Sequence, residues 1–498
     1  MGTVAMLVVT RRGPYLSADG LAYVGMARNL VDGHGFTPPP GAPPLGNFPP
    51  LYPLLLAVIG FLGPDPLTVA RFLSPVLFGM TVLLVGLLCR RVTGSLALAV
   101  TAQLLVVSGV DLLAYHSAAL SEPLFLLLAL ATLLALTSCL ARPRPRLVVA
   151  AAGLAAATCL TRYLGLAVVL TGAAALALLA SGRRWGRALT FAALALTPLV
   201  GWLAWVAATE GRASNRTAVF HAPDGGYATR GLRSASTWFL PADFSWPLRA
   251  AVAAAAVAAL VWVAWRRRGR LKEAAEDSGA ARTAGPILLA VFAVTYLAAL
   301  VVDRFLFDVT GRLDSRFLLP VHVVAVILIL GALARLDLLR SRAAWMAISA
   351  LAGLQVAAGA SWVYDAAKDA AVRPGGFTAP AWQRSEVIAH VRALAPAVPV
   401  FTNQVDALYF HTGRAAQPLP ARAEFLTGRT NQSYEDELAG MVNALGDDGM
   451  LVYFTAPPAR RAFLGPPAEV AARLGLEMVV ADGVGVLYRP AGSRPGSG

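Results

Sequence analysis

The sequence predicts a mainly α-helical protein that crosses a membrane many times and carries a small α/β domain after its last span. Three observations carry that prediction. Over 498 residues, 57% of positions are hydrophobic, 14% are charged and mean hydropathy is +0.62, more apolar surface than one soluble core absorbs. Apolar runs recur from about residue 66 to residue 362 between short arginine clusters, several of them near the ~20 residues that cross a bilayer. After Trp362 the pattern changes to short amphipathic and β-rich stretches.

The spans fall at about 66–89, 95–110, 120–140, 147–160, 164–181, 188–208, 248–265, 285–302, 317–334 and 343–361. The opening, MGTVAMLVVTRR, has too few apolar residues for a full span and no small-residue cleavage site after it, so it reads as a first helix begun late or truncated, giving about eleven spans. Arg90 and Arg91, Arg142 to Arg146, Arg183 to Arg187, Arg266 to Lys272 and Arg335 to Arg342 occupy every second loop. By the positive-inside rule these loops are cytoplasmic. The first outer loop, 11–65, and the segments at 111–119, 161–163, 209–247, 303–316 and beyond 362 then lie outside. The formal charge of +14 has this topological source; the arginines show no aromatic interleaving of the kind nucleic-acid binding uses, and no nucleic-acid partner is expected. Cys89, Cys139 and Cys159 all lie within apolar runs and read as small core residues. The Ala, Arg, Gly and Pro bias points to a GC-rich bacterial source.

Two spans are short. The 35 residues from Leu147 to Ser181 cross and return if both flanking clusters are inside, which sets the turn at Thr161, Arg162 and Tyr163 below the outer surface. Residues 1–362 thus form a membrane domain. Residues 363–491 form an outer α/β domain, with an amphipathic helix in WQRSEVIAHVRAL, strands in VPVFTN, GMLVYFTA, LEMVVAD and VGVLYRP, and a helix in AEVAARLG. The tail, 492–498, is disordered by composition.

The chemistry-bearing residues gather in the outer segments. SADGLAYVGMARNLVDGHGF places Asp19, Tyr23 and Arg28 on a short helix, where Ser17 or Asp19 serves as the cap; Asp19 is therefore a capping residue or a catalytic carboxylate. Glu122, before Pro123, is a first-turn carboxylate or a second acid of a site, with His116 on the preceding loop. Arg162 at membrane depth demands an anion, either a lipid phosphate or one of Asp19, Glu122 and Asp111. Arg312 and Arg316 flank Asp314 and either clamp phosphate or anchor a helix at the interface. His34, Asn47 and Tyr52 lie in a Gly- and Pro-rich stretch that is a loop over the site or a plain connector. His221, His322, His390 and His411 have no evident partners.

An Asp in the first outer loop followed by Y…A…L…G.GF and FPPLYPLLLA, then LSEPLF, LTRYLGL and DSRFLLPVH in order, resembles the GT-C superfamily of membrane glycosyltransferases, notably protein O-mannosyltransferases and bacterial aminoarabinose transferases. The likeness spans nearly the whole chain. It implies an inverting hexosyl- or pentosyltransferase of the cytoplasmic membrane. The donor is a polyprenyl-phosphate-linked sugar, and the acceptor is a glycan, lipid or protein hydroxyl on the extracytoplasmic face. Asp19 and Glu122 are then the catalytic carboxylates, and Arg162, Arg316 and Arg312 hold the donor phosphate. Tyr23, Arg28, His34, Tyr52, His116 and Tyr163 line the substrate site, and Asp19 with Glu122 is a candidate pair for a divalent cation. Many such relatives carry two adjacent acids in the first outer loop, where this chain has Asp19 followed by Gly20. Secondary transport of an anionic or sugar-like substrate is the rival reading.

Overall fold

A computed structural model describes residues 2–39, 44–142, 144–180, 182–213, 218–222, 225–238, 240–266, 280–307, 313–335, 341–372, 375–424, 427–455 and 461–492. The chain is mainly helical. In order, the helices of the apolar part are α1 (Gly2–Val9), α2 (Ala18–Val31), α3 (Leu51–Gly60), α4 (Pro66–Thr93), α5 (Leu96–Val107), α6 (Val110–His116), α7 (Glu122–Ala141), α8 (Pro145–Thr161), α9 (Leu166–Leu179), α10 (Arg184–Glu210), α11 (Gly225–Ser236), α12 (Trp246–Arg266), α13 (Ala280–Leu306), α14 (Ser315–Arg335) and α15 (Arg342–Val372). Among the described residues, six helices are long and apolar enough to cross a membrane: α4, α7, α10, α13, α14 and α15. The pair α5 and α6, bent by 61°, makes a seventh if taken as one span, and α3, α8, α9 and α12 are shorter apolar helices. Each stretch expected to span contains a helix, though by length and composition alone the criterion for a span is met less often than eleven times.

Local chemistry sets the ends. Asp65 caps α4, accepting from Leu67 N at 2.9 Å with Pro66 in the first turn, and Gly94 closes it with φ at +74°. Ser95 then caps α5. α8 and α9, of 17 and 14 residues, are about 25 and 21 Å long at ~1.5 Å per residue, shorter than a ~30 Å hydrocarbon core. The turn between them is tight, because a Cβ on Gly165 would come within 2.6 Å of Cys159 N.

The expected boundary at 363 lies inside α15, which continues to Val372. Beyond it come α16 (Pro380–Gln383), α17 (Glu386–Ala393), β1 (Val400–Thr402), α18 (Val405–Thr412), β2 (Gln417–Pro418), α19 (Tyr434–Leu445), β3 (Met450–Phe454), α20 (Arg461–Leu464), α21 (Pro467–Arg473), β4 (Leu476–Ala481) and β5 (Gly485–Pro490). The stretch expected as one helix at 382–394 breaks at Ser385, which caps α17. The sheet order is β2-β1-β3-β5-β4, with β1 parallel to β2 and β3, and β5 antiparallel to β3 and β4. Alternation along β3 divides the core: Val452 and Phe454 join the apolar cluster that continues into the helical bundle, while Leu451 and Tyr453 face α19 and α21. Of the tail, only position 492 is described.

Candidate active site

Four helix ends converge. α2 and α7 begin here, α8 ends here and α14 begins here, so their terminal residues meet at one end of the bundle. Arg142 after α7, Arg144 before α8 and Arg335 at the end of α14 mark the opposite end of three of these helices, and Arg90 and Arg91 close α4.

Asp19 stands in the first turn of α2, and the cap is Ser17, whose hydroxyl accepts from Gly20 N at 3.2 Å. The Asp19 carboxylate is thereby left for another partner: Arg316 Nη2 donates to its Oδ2 at 2.5 Å. Arg316 Nε donates to Glu122 Oε1, and Arg162 Nη1 donates to the same oxygen at 2.5 Å and to Ser121 Oγ at 3.2 Å. Ser121 Oγ also shares a 3.0 Å hydrogen bond with Tyr23 OH. One chain of contacts therefore runs Asp19, Arg316, Glu122, Arg162, Ser121, Tyr23. Two carboxylates and two guanidiniums balance formally, which is how charges at this depth persist. Burial grades across them: the Glu122 side chain is 6% exposed, Arg162 15%, Arg316 21% and Asp19 33%. The most accessible group is the Asp19 carboxylate. Below the network, a cavity with room for about one water (about 10 Å³) is lined by Glu122, Phe125, Arg162, Tyr296, Arg316 and Phe317. Glu122 Oε2 is buried and has no hydrogen-bond partner among the described residues.

The anion that Arg162 demands is thus supplied in this structure by Glu122, whereas Asp111 accepts from Thr237 Oγ1 at 3.3 Å. Gly20 explains the missing second acid beside Asp19, because a Cβ there would come within 2.8 Å of Ala119 O. Asp19 and Glu122 do not fit a divalent ion as they stand, since the Arg316 guanidinium already bridges them. No group of three or more His, Cys, Asp or Glu side chains suited to a metal occurs among the described residues.

Several expected site residues lie elsewhere. Arg28 pairs with Asp65 at 2.8 Å and sits 4.7 Å over the Phe410 ring. His34 is exposed beyond the far end of α2, held by its N–H to Asn29 O at 2.8 Å, and the helix between it and Asp19 is about 18 Å long at ~1.5 Å per residue. His116 is turned into the core by α6, its Nδ1 at 2.7 Å from Leu112 O and its ring 4.6 Å from Phe78. Tyr52 is buried edge-on to Tyr23 at 5.2 Å, so it supports the network from behind. Tyr163 donates to Gly46 O at 2.9 Å and accepts from Trp202 Nε1 at 3.3 Å, pinning the first loop to the α8–α9 turn. Leu45 N donates to Glu210 Oε1 at 2.8 Å in the same region. Arg312 lies outside the described residues. Ser121, Tyr296 and Phe317 were not singled out from sequence; their signal was adjacency to Glu122 and Arg316 for two of them, and none for Tyr296.

With the geometry in place, the fold can be compared with solved structures. It matches ArnT from Cupriavidus metallidurans bound to undecaprenyl phosphate with TM-score 0.59 and 14% identity, covering 99% of this chain and 97% of that one. The apo form of that protein matches with TM-score 0.57 at 14% identity, over 97% and 95%. The archaeal oligosaccharyltransferase AglB from Archaeoglobus fulgidus, in complex with an inhibitory peptide and a dolichol-phosphate, matches with TM-score 0.51 at 14% identity, over 91% of this chain and 69% of that one. No protein-family model matches the chain, and no curated protein matches it in sequence.

Proposed function

We infer from the fold shared with ArnT and AglB that the chain has the architecture of the GT-C membrane glycosyltransferases. We propose that the chain is an integral-membrane glycosyltransferase that moves a hexosyl or pentosyl group, with inversion, from a polyprenyl-phosphate donor to an acceptor hydroxyl on a glycan, lipid or protein. The convergence of Asp19, Glu122, Arg162 and Arg316 carries this reading. By the positive-inside rule the arginine-rich end of the bundle is cytoplasmic, so the cluster faces the extracytoplasmic side of the cytoplasmic membrane.

In this reading the acceptor oxygen attacks the anomeric carbon as the bond from that carbon to the phosphate oxygen breaks. The bond's electron pair leaves with the polyprenyl phosphate. Asp19, the most exposed member of the network, takes the acceptor proton, held in orientation through its Oδ2. Arg162 and Arg316 each carry five N–H donors and use only some of them on carboxylates, so both retain donors for the departing phosphate. Phosphate is a good leaving group, and no acid is needed to protonate it. Glu122, engaged by both guanidiniums, keeps them aligned. Undecaprenyl phosphate in ArnT and dolichol-phosphate in AglB support a lipid-phosphate donor here. Transport wants charges near the bilayer midplane. These lie at helix ends.

The test is consumption of a panel of radiolabelled polyprenyl-phosphate sugars by membranes holding the wild type or Asp19→Asn. Donor-specific turnover that falls by about 10²- to 10⁴-fold in a variant of unchanged abundance supports the assignment. Equal turnover in both removes Asp19 as the base, and no turnover of any donor sinks the transferase reading.

A further inference from the structure

The residues that lead into α2 run between two other segments of chain. Tyr15 N donates to Ser117 O at 3.0 Å, and Ala119 N donates to Tyr15 O at 2.9 Å. On the other side, Leu16 N donates to Gly375 O at 3.3 Å and Phe377 N donates to Leu16 O at 2.9 Å, with Thr378 Oγ1 donating to Pro14 O at 3.1 Å. Both bridges are parallel, Tyr15 with Ala118 and Leu16 with Gly376. The three segments form a small clasp. The middle one reaches Asp19 within three residues, 117–119 reaches Glu122 within three, and 375–377 opens the C-terminal domain.

The clasp depends on glycine. A Cβ on Gly375 would come within 2.4 Å of Tyr15 Cδ2, and one on Gly376, whose φ is +67°, within 2.1 Å of Leu16 O. At Gly375 the clash is with the half-exposed Tyr15 ring, which can turn aside, whereas at Gly376 it is with the Leu16 backbone, so the two backbones must separate if Gly376 gains a side chain. Arg162 and Arg316 are anchored differently, the first as the cap of α8 and the second in the first turn of α14. Separating Gly376 from Leu16 therefore acts first on the segment that leads to Asp19, while the two guanidiniums are carried by other helices.

We propose that the Gly375–Phe377 turn is a positioning element for Asp19, through which the C-terminal domain sets the carboxylate's distance from the reacting centre without touching substrate. The activity consequence rests on the transferase reading. The structural consequence stands without it.

The experiment compares full-length wild type, Gly376→Ala and Gly475→Ala in lipid nanodiscs. Gly475 has φ +63° and open space around an added Cβ, so its variant carries comparable backbone strain without a clash. Hydrogen exchange is read over residues 15–24 and 117–122, and transfer is measured against donor concentration. The expected result for Gly376→Ala is exchange at least about tenfold faster in both segments, with kcat lowered about 10- to 100-fold and donor KM unchanged, as a displaced but chemically intact base requires. Gly475→Ala leaves all three values near wild type. Thr378→Val, which loses the hydroxyl shared between Pro14 O at 3.1 Å and Gly375 O at 2.9 Å and adds no bulk to the clasp, moves them in the same direction by less and serves if Gly376→Ala does not fold. Unchanged exchange in the clasp variants, kcat unmoved when exchange rises, or an equal effect of Gly475→Ala each overturns the proposal. If the wild type transfers from no donor, the transferase reading fails, and the exchange data alone decide whether the clasp holds α2.

Discussion

At the membrane end, Glu122 receives two guanidiniums with its side chain 6% exposed, whereas in the C-terminal domain Glu435 meets Arg473 at 3.0 Å with 70% of its side chain in solvent. The two contacts look alike on paper. They differ in what each charge would face if its partner were removed. In the bundle a lone guanidinium would sit in apolar surroundings between Phe125 and Phe317, while in the domain water replaces the lost partner. A converging set of buried charges is thus held at a cost, and the scattered surface pairs are a solvated face.

The largest effect expected from this difference is at Glu122. Glu122→Gln leaves Arg162 and Arg316 with one counter-charge between them and should cost about 3 kcal/mol or more in unfolding free energy, as breaking a buried pair does. Arg473→Ala, by contrast, should shift the melting temperature by less than the assay resolves. Equal small shifts at both sites would erase the distinction between the two regions.

Arg316 comes next, because it uses two different nitrogens for two carboxylates. Lysine keeps the charge and cannot span both, so Arg316→Lys should lose one charge-assisted bond, about 1.5–3 kcal/mol, and slow transfer by roughly 10- to 100-fold. Transfer at the wild-type rate would mean that charge alone suffices, and the bridging geometry would have no role.

A smaller effect is a pH response confined to the C-terminal domain. The His411 ring stacks on Trp382, 5.3 Å between centroids. Burial pushes its imidazole down from 6.5 to about 4; Arg392 and Arg28 act in the same sense, and a hydrogen bond with the Phe377 backbone opposes them. The folded state then binds fewer protons than the unfolded state between about pH 6.5 and 4. His411 therefore contributes full stability above pH 6.5, loses it progressively as pH falls to 4 and changes nothing below. Going from pH 7.5 to 5.5 should remove about 1 kcal/mol, read as a fall in the domain's melting temperature that His411→Gln flattens. Asp482 behaves separately: burial raises its carboxyl, but hydrogen bonds from Ser385 and from the Val484, Gly485 and Val387 N–H groups outweigh it and hold the group below the ordinary 3.8. Its stabilisation is present above that value and is lost only in stronger acid.

How much of this was legible in the sequence depends on whether a residue's environment is set locally. Asp19, Glu122, Arg162 and Arg316 stand out because an ionised group beside a long apolar run is expensive, and each occupies a helix end that the apolar pattern itself locates. The long apolar helices, α2, α17, α21 and β1, β3, β4 and β5 follow from period and capping, whereas α3, α18 and α19 were not read from it. The pairing of Arg316 with both acids, across 297 and 194 positions, had no sequence signal. Neither had the rotation of α6, which turns His116 away from Glu122 although the two are six residues apart. Arg28 misled for a related reason: one helix carries it and Asp19, but at opposite ends. The clasp of Leu16 and Gly376 is a backbone pairing and left only a Gly-Gly pair to be read.

Arg28 supplies the smallest expected effect and tests whether the first loop belongs with the site or with the surface. It reaches Asp65 through Nε at 2.8 Å and Nη2 at 3.2 Å, with the two side chains 31% and 44% exposed. Its guanidinium also lies over Phe410 of the C-terminal domain. An exposed pair of this kind and an exposed cation–π contact together place Arg28→Ala at no more than about 1 kcal/mol. Asp65→Ala removes the same pair and the α4 cap, worth about 0.5–2 kcal/mol, but keeps the Phe410 contact, so the double variant compared with Arg28→Ala isolates the cap. Transfer kinetics should stay near wild type in Arg28→Ala. A fall in kcat would mean that the far end of α2 steers Asp19, and the division between a buried, charge-paired end and a solvated periphery would have to be redrawn to include the whole helix.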